Sequence, residues 1–255
     1  MKVTLLGSGT CVPRLARSAC AVLVETKASK ILLDLGPGTM RRLLHCDVSI
    51  FELTHIFLSH FHPDHSAELV PLLFATKYPD AMARTRPLHL MGGSGLKRFY
   101  KALQGAYGDW IVLPAGQLLV GEIDTLGGEA LHFDDFKLTA RPVAHRPESL
   151  ACRIEDGDGT VVAYSGDTEP CPGLVDVARR ADLFICESAM PDERKVPGHM
   201  TPGLAGQMAA QAQARRLVLT HLYPACDGVD IVKQAQGTYK GPVLAAEDLM
   251  GFVLP

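Results

Sequence analysis

No segment of the 255 residues approaches the roughly 20 apolar residues of a membrane span, so a membrane protein is not expected. Charge of one sign never accumulates. The chain has 25 Lys and Arg against 28 Asp and Glu, a net charge of -3, with no run of five like charges. It therefore has neither a basic arm for nucleic acid nor an acidic tail. Paired cysteines are also missing: the seven are odd in number and none stands in C-x-x-C spacing. That argues against a disulfide framework and a thiolate zinc site, and for buried thiols in a reducing cytosol. The opening MKVTLLGSGT meets glycine too early for a signal-peptide core. A cytoplasmic protein, complete from Met1, is expected.

What is present suits a folded domain. Hydrophobic residues make up 47% and charged residues 21%, enough to bury a sizeable core, and the length fits one domain over residues 1–255. Short apolar runs between Gly and Pro turns predict strands at 3–6, 21–25, 30–34, 55–59, 88–91, 138–143, 151–154, 161–165, 183–186 and 217–220. Helices are expected over 67–78, with Leu69, Leu72, Leu73 and Ala75 facing inward, and over 95–103, 174–180 and 202–213. Strands that occur both as hairpins and alternating with helices imply mixed sheets covered by helices. The aromatics Tyr78, Phe99, Tyr100, Tyr107 and Trp110 suit core positions better than a pocket.

The chemistry sits at strand ends. Residues 60 to 65 read His-Phe-His-Pro-Asp-His. In an extended segment His60 and His62 point the same way. Pro63 then turns the chain, so that Asp64 and His65 point elsewhere and one motif can serve two metals. Imidazole and carboxylate suit Zn²⁺, and also Mn²⁺ or Fe²⁺. His145, Asp167 in Ser-Gly-Asp-Thr, and His221 in Leu-Thr-His each follow an apolar strand, and a carboxylate such as Asp167 can bridge two cations.

Together these motifs resemble the metallo-β-lactamase superfamily, and further ones resemble its ribonuclease Z branch. Gly7-Ser-Gly-Thr-Cys-Val-Pro13 is similar to that branch's glycine loop, and Ile31-Leu-Leu-Asp-Leu-Gly36 to its strand with a supporting Asp, here Asp34. Glu187 in Cys-Glu-Ser-Ala and His199-Met-Thr201 fall where the branch has His-Glu-Ala-Thr and His-Ser-Thr. The resemblance implies a four-layer αββα sandwich of two mixed sheets, phosphodiester hydrolysis and frequent homodimers. It also implies two zinc ions per chain, with His60, His62 and His145 on one, Asp64, His65 and His221 on the other, and Asp167 between them. One departure stands out. Ribonuclease Z carries a tRNA-binding arm between the lone His and Gly-Asp-Thr, whereas only two strands and a turn separate His145 from Asp167 here.

The expected enzyme is a hydrolase of small or nucleotide-like phosphodiesters, using water activated between two cations. Asp64 would orient the nucleophile, and His199, held by Glu187, would protonate the leaving group. Thr168, Thr201 and Thr220 would support the ligands, and Ser8, Thr10 and Arg17 would meet the substrate phosphate. The alternatives are a tRNA 3′-end endonuclease, a lactonase or thioesterase, and a non-catalytic metal-binding protein of the same fold.

Overall fold

The computed structural model describes residues 1–77, 84, 86–123 and 130–255. The strands are β1 (Lys2–Gly7), β2 (Ala21–Glu25), β3 (Lys30–Leu33), β4 (His55–Leu58), β5 (Leu88–Gly92), β6 (Leu118–Glu122), β7 (Leu131–His132), β8 (Phe136–Pro142), β9 (Leu150–Asp156), β10 (Val161–Tyr164), β11 (Leu183–Glu187), β12 (Leu217–Thr220), β13 (Val243–Ala245) and β14 (Met250–Val253). The α-helices are α1 (Thr39–Leu44), α2 (Pro63–Ser66), α3 (Leu69–Thr76), α4 (Leu96–Tyr107), α5 (Pro172–Ala178), α6 (Pro202–Ala212) and α7 (Ile231–Gln236).

Among the described residues the strands form two seven-stranded sheets, ordered β14-β1-β2-β3-β4-β5-β6 and β13-β12-β11-β10-β9-β8-β7. Both are mixed. Strands β3 to β6 run parallel, as do β10 to β13, and the remaining pairs are antiparallel. Alternation along each strand explains the layering. Val22 and Val24 of β2 and Phe57 of β4 join Val162, Tyr164 and Ile185 in a core between the sheets. Their neighbours Leu23, Ile56 and Leu58 face outward onto Leu69, Leu72 and Leu96 of α3 and α4. On the other side Phe184 and Leu219 meet Leu174, Met208 and Ile231 of α5, α6 and α7. Strands buried on both faces read as unbroken apolar runs, which is why they were visible in the sequence. The αββα sandwich is thus the observed fold.

The differences are local. The helix expected over 67–78 is the shorter α3, separated from α2 by Ala67 and Glu68, with Tyr78 outside the described residues. Its buried face is Leu69, Leu72, Leu73 and Thr76, while Ala75 is only half-buried. Spacings of 3, 4 and 7 share one stripe, and Thr76 buries its hydroxyl by donating to the Leu72 carbonyl at 2.8 Å. Helix α5 begins earlier than expected, with Pro172 in its first turn. Phe99 and Tyr100 are half-buried, but Tyr107 and Trp110 are exposed and line an apolar surface cavity with Phe74. No helix among the described residues is long and apolar enough to cross a membrane.

Candidate metal centre

Every candidate ligand leaves the C-terminal end of a strand or the short helix that follows one. His60 and His62 follow β4. His62 is extended (φ -59°, ψ 147°), as a residue before proline must be, and Pro63 opens α2, which carries Asp64 and His65. His145 lies beyond β8, Asp167 beyond β10 and His221 directly after β12. Asp34 and His221 hold positive φ, 59° and 57°, a conformation that costs a non-glycine residue free energy and tends to mark sites where the fold overrules it. Gly166 (φ +56°) is required: a Cβ there would lie 2.6 Å from the Ser59 Cβ.

These strand ends bring together His60, His62, His145 and Asp167 as one group and Asp64, His65 and His221 as a second. Asp167 spans both. Its Oδ2 is 3.6 Å from His60 Nε2 and 3.9 Å from His145 Nε2, and its Oδ1 is 3.3 Å from His65 Nε2 and 3.5 Å from His221 Nε2. His221 Nε2 is also 3.5 Å from Asp64 Oδ2, and His145 Nε2 is 3.3 Å from His62 Nδ1. Ligand atoms about 2.0–2.1 Å from a tetrahedral zinc stand roughly 3.3–3.5 Å from one another, so these spacings fit ions held between the groups.

The rear nitrogens of three rings are fixed. His65 Nδ1 is 2.7 Å from Asp34 Oδ2, His60 Nδ1 is 3.0 Å from Ser59 Oγ, and His145 Nδ1 is 2.9 Å from the Gly198 carbonyl. Each contact leaves Nε2 for the centre. Asp34 also accepts from the Ser59 amide, the Ser59 hydroxyl and the Tyr164 hydroxyl, all at 2.7 Å. Ser59, Tyr164 and Gly198 are supports that sequence reasoning missed. Ser59 and Tyr164 stand just before His60 and Ser-Gly-Asp, a weak signal, and Gly198 acts through its backbone, which leaves none.

The donor set passes a direct test of fit. His60 Nε2, His65 Nε2, His221 Nε2 and Asp167 Oδ1 are buried and have no hydrogen-bond partner, an expensive arrangement unless a cation joins them. Electrostatics agree. Burial, then the His65 imidazole, pushes His60 down to about 2 against the pull of Asp167. Burial works against an ionised Asp167, yet the crowding histidines 221, 65 and 60 hold it well below the usual carboxylate range. Burial opposes a charged His65, but Asp167 and Asp34 carry it well above its ordinary value. Carboxylate gathered among imidazoles is a donor set that suits divalent ions.

A further pair adjoins it. His199 Nδ1 is 3.0 Å from Glu187 Oε1 and 3.9 Å from Asp167 Oδ2, and its ring stacks on His221 at 5.5 Å. Burial would lower His199, but the hydrogen bond and charge of Glu187 carry it above its ordinary value. Glu187 is raised by its own burial, against the pull of His199. The other Glu187 contacts run from the Thr168 amide, 2.9 Å, and the Ala189 amide, 3.2 Å. Thr168 in turn accepts from the Ala144 amide beside His145 at 3.1 Å. The Thr220 hydroxyl lies 3.9 Å from Cys20 Sγ, and Thr201 is the N-cap residue of α6 without a side-chain capping bond; neither hydroxyl bonds to a candidate ligand among the described residues.

Thr10 and Arg17 line a cavity of about 280 Å³ that also reaches Asp64. Ser8 does not. It is fully buried, its amide and hydroxyl both donate to Asp248 Oδ1, at 2.9 and 2.8 Å, and Arg17 donates to its Oγ at 2.6 Å. Its backbone N–H is therefore occupied, and its role is to hold Arg17. Asp248, almost at the C-terminus, was not foreseen.

Comparisons with known proteins agree with this arrangement. The family model described as a beta-lactamase superfamily domain matches residues 29–222. An uncharacterized protein of Mycobacterium tuberculosis is 32% identical over 259 residues, covering 96% of this chain and 89% of the relative. Ribonuclease Z of Methanosarcina acetivorans is 27% identical, covering 100% of this chain and 98% of its own, over 307 aligned positions. The structure of the metallo-beta-lactamase fold protein YhfI from Bacillus subtilis superposes with a TM-score of 0.83 at 25% identity, covering 98% of each chain. The ribonuclease Z alignment has more positions than this chain has residues. Between His145 and Asp167 the structure has only β9, the Asp156–Gly159 turn and β10. The chain thus belongs to the beta-lactamase superfamily, in its metallohydrolase fold and on its ribonuclease Z-like branch.

Proposed function

We propose that the protein is a dinuclear, zinc-dependent phosphodiesterase acting on a small, nucleotide-like phosphodiester. The observation that carries this reading is the His199–Glu187 pair set 3.9 Å from the Asp167 carboxylate. A thioester releases a thiolate that leaves readily, whereas an alkyl phosphodiester expels an alkoxide that needs a proton. Burial disfavours the charged His199 ring, but Glu187 raises it above its ordinary value, and its Nε2 is free of hydrogen-bond partners among the described residues.

In this reading His60, His62, His145 and Asp167 hold one zinc, and Asp64, His65, His221 and Asp167 the other. Bound there, the ions would lower the pKa of water and neutralise the phosphoryl oxygens. Asp64, held down to about 2 by His221 and His65 despite burial, is an ionised acceptor that orients the attacking water. Glu187 fixes the His199 ring through Nδ1, so that Nε2 delivers the proton to the departing oxygen. Arg17 and Thr10 line the approach to Asp64 and would meet the substrate phosphate. A short connection between His145 and Asp167 and a net charge of -3 favour a small substrate over tRNA, because phosphate contacts supply most nucleic-acid affinity.

The test is a parallel assay of the zinc-loaded protein on bis-p-nitrophenyl phosphate, a cyclic nucleotide, a lactone and a precursor tRNA. Turnover of the small phosphodiesters, with little site-selective trailer removal at physiological salt, is expected. Efficient trailer cleavage, or preference for the lactone, would overturn the assignment.

A further inference from the structure

The cavity that reaches Asp64 does not end at Arg17. At Ser18 it adjoins a second cavity of about 320 Å³, lined by Ser18, Gly38, Arg41, Arg42 and His45. Every ionisable group in that lining is a base. Arg42 is anchored: Nε donates to Ser18 Oγ at 3.0 Å, and its guanidinium is 2.8 Å from Asp248 Oδ2. The Arg41 and His45 side chains are exposed and make no hydrogen bond or ion pair with any described residue. Two carboxylates stand behind this wall without lining it. Glu68 receives the Gly38 and Met40 amides at 2.7 and 2.6 Å, and Asp248 receives Ser8, Ser18 and Arg42. Gly38, at φ +99°, keeps the floor open, since a Cβ there would press to 3.1 Å from Ser18 Oγ.

A chain of net negative charge has therefore gathered three bases around one concavity, two of them uncommitted, next to its candidate catalytic centre. We propose that this second cavity is a phosphate subsite, and that the substrate is a nucleotide-type diester bearing an additional terminal phosphate. Arg41 and Arg42 supply planar, multiply donating cations that match phosphate oxygens, and His45 adds a further donor. The diester would lie at the histidine cluster with the terminal phosphate beyond Ser18. This inference rests on the phosphodiesterase reading for its substrate, but the anion site itself can be measured without turnover.

The experiment compares a dinucleoside monophosphate with its 5′-phosphorylated form on the zinc-loaded protein. Steady-state kinetics and equilibrium titration calorimetry are both recorded. Charged hydrogen bonds of this kind should favour the phosphorylated form roughly tenfold or more, through KM and binding rather than kcat. In Arg41→Ala/His45→Ala that ratio should fall toward one, and Arg41→Glu should reverse it. A wild-type ratio near one, or a preference that survives both variants, overturns the subsite. If neither dinucleotide is cut but the phosphorylated one binds tighter in an Arg41-dependent way, the subsite stands and the phosphodiesterase reading falls. If both are cut equally, the phosphodiesterase reading stands and the subsite falls.

Discussion

Asp34 and His65 meet at 2.7 Å, Oδ2 to Nδ1, both fully buried, and this contact decides which nitrogen of His65 faces the cluster. Asp34 follows β3 directly in a left-handed conformation (φ 59°) and draws in Ser59 and Tyr164 as well. One carboxylate thereby ties three strands of two sheets to the candidate ligands. Asp34→Asn keeps the shape and removes the charge. It should weaken metal binding about 10- to 100-fold, the usual effect of a lost outer partner, as read by zinc titration against a competing chelator. Unchanged affinity would remove Asp34 from the support of the site.

The residues that sequence reasoning found share one property: they announce themselves locally. His60, His62, Asp64 and His65 are contiguous, and His145, Asp167 and His221 stand at the ends of apolar runs. The supports that it missed are joined across the fold. Tyr164 reaches Asp34 over 130 positions and Asp248 reaches Ser8 over 240, and no periodicity records such a pairing. Ser8 was expected at the substrate because its loop is glycine-rich, but only the fold reveals that Asp248 already holds its amide. Short elements were illegible for another reason. Helices α1 and α7 have six residues each, less than two turns, too few to display a 3.6-residue period.

Gly166 offers a backbone test. Alanine there must adopt φ +56° and place its Cβ 2.6 Å from the Ser59 Cβ. Gly166→Ala should cost about 1–3 kcal/mol of stability. It should also lower metal content, because Ser59 and Asp167 are both displaced. Thermal unfolding together with elemental analysis checks this; a variant with native melting and full metal would contradict the packing described here.

If His199 protonates the leaving oxygen, its importance should follow the need for that proton. His199→Ala should lose roughly 10²–10⁴-fold on an alkyl phosphodiester and far less on bis-p-nitrophenyl phosphate, whose phenolate leaves unaided. Glu187→Gln should do the same more mildly. Equal losses on both substrates would mark the pair as structural.

His55 offers a pH test away from the centre. It stacks on His89 at 4.8 Å, meets Phe133 and Phe136 edge-on, and has Nδ1 2.8 Å from Thr54 Oγ1. Burial, then His89, pushes it down to about 4. The unfolded chain takes up this proton near pH 6.5 and the folded chain only near 4. The stability due to a neutral His55 is thus full above about pH 6.5 and is lost as pH falls toward 4, by up to a few kcal/mol. His55→Phe keeps the aromatic contacts and should flatten the melting temperature between pH 7 and 4 relative to wild type. Parallel pH profiles would contradict this.

In the proposed reading, His60, His62, Asp64, His65, His145, Asp167 and His221 together hold two ions. Elemental analysis of protein purified without chelators measures this directly. Close to two zinc per chain are expected in the wild type, with Asp167→Ala depleting both sites and His221→Ala mainly one. A wild type that binds only one ion, or one whose content is indifferent to Asp167, would contradict it.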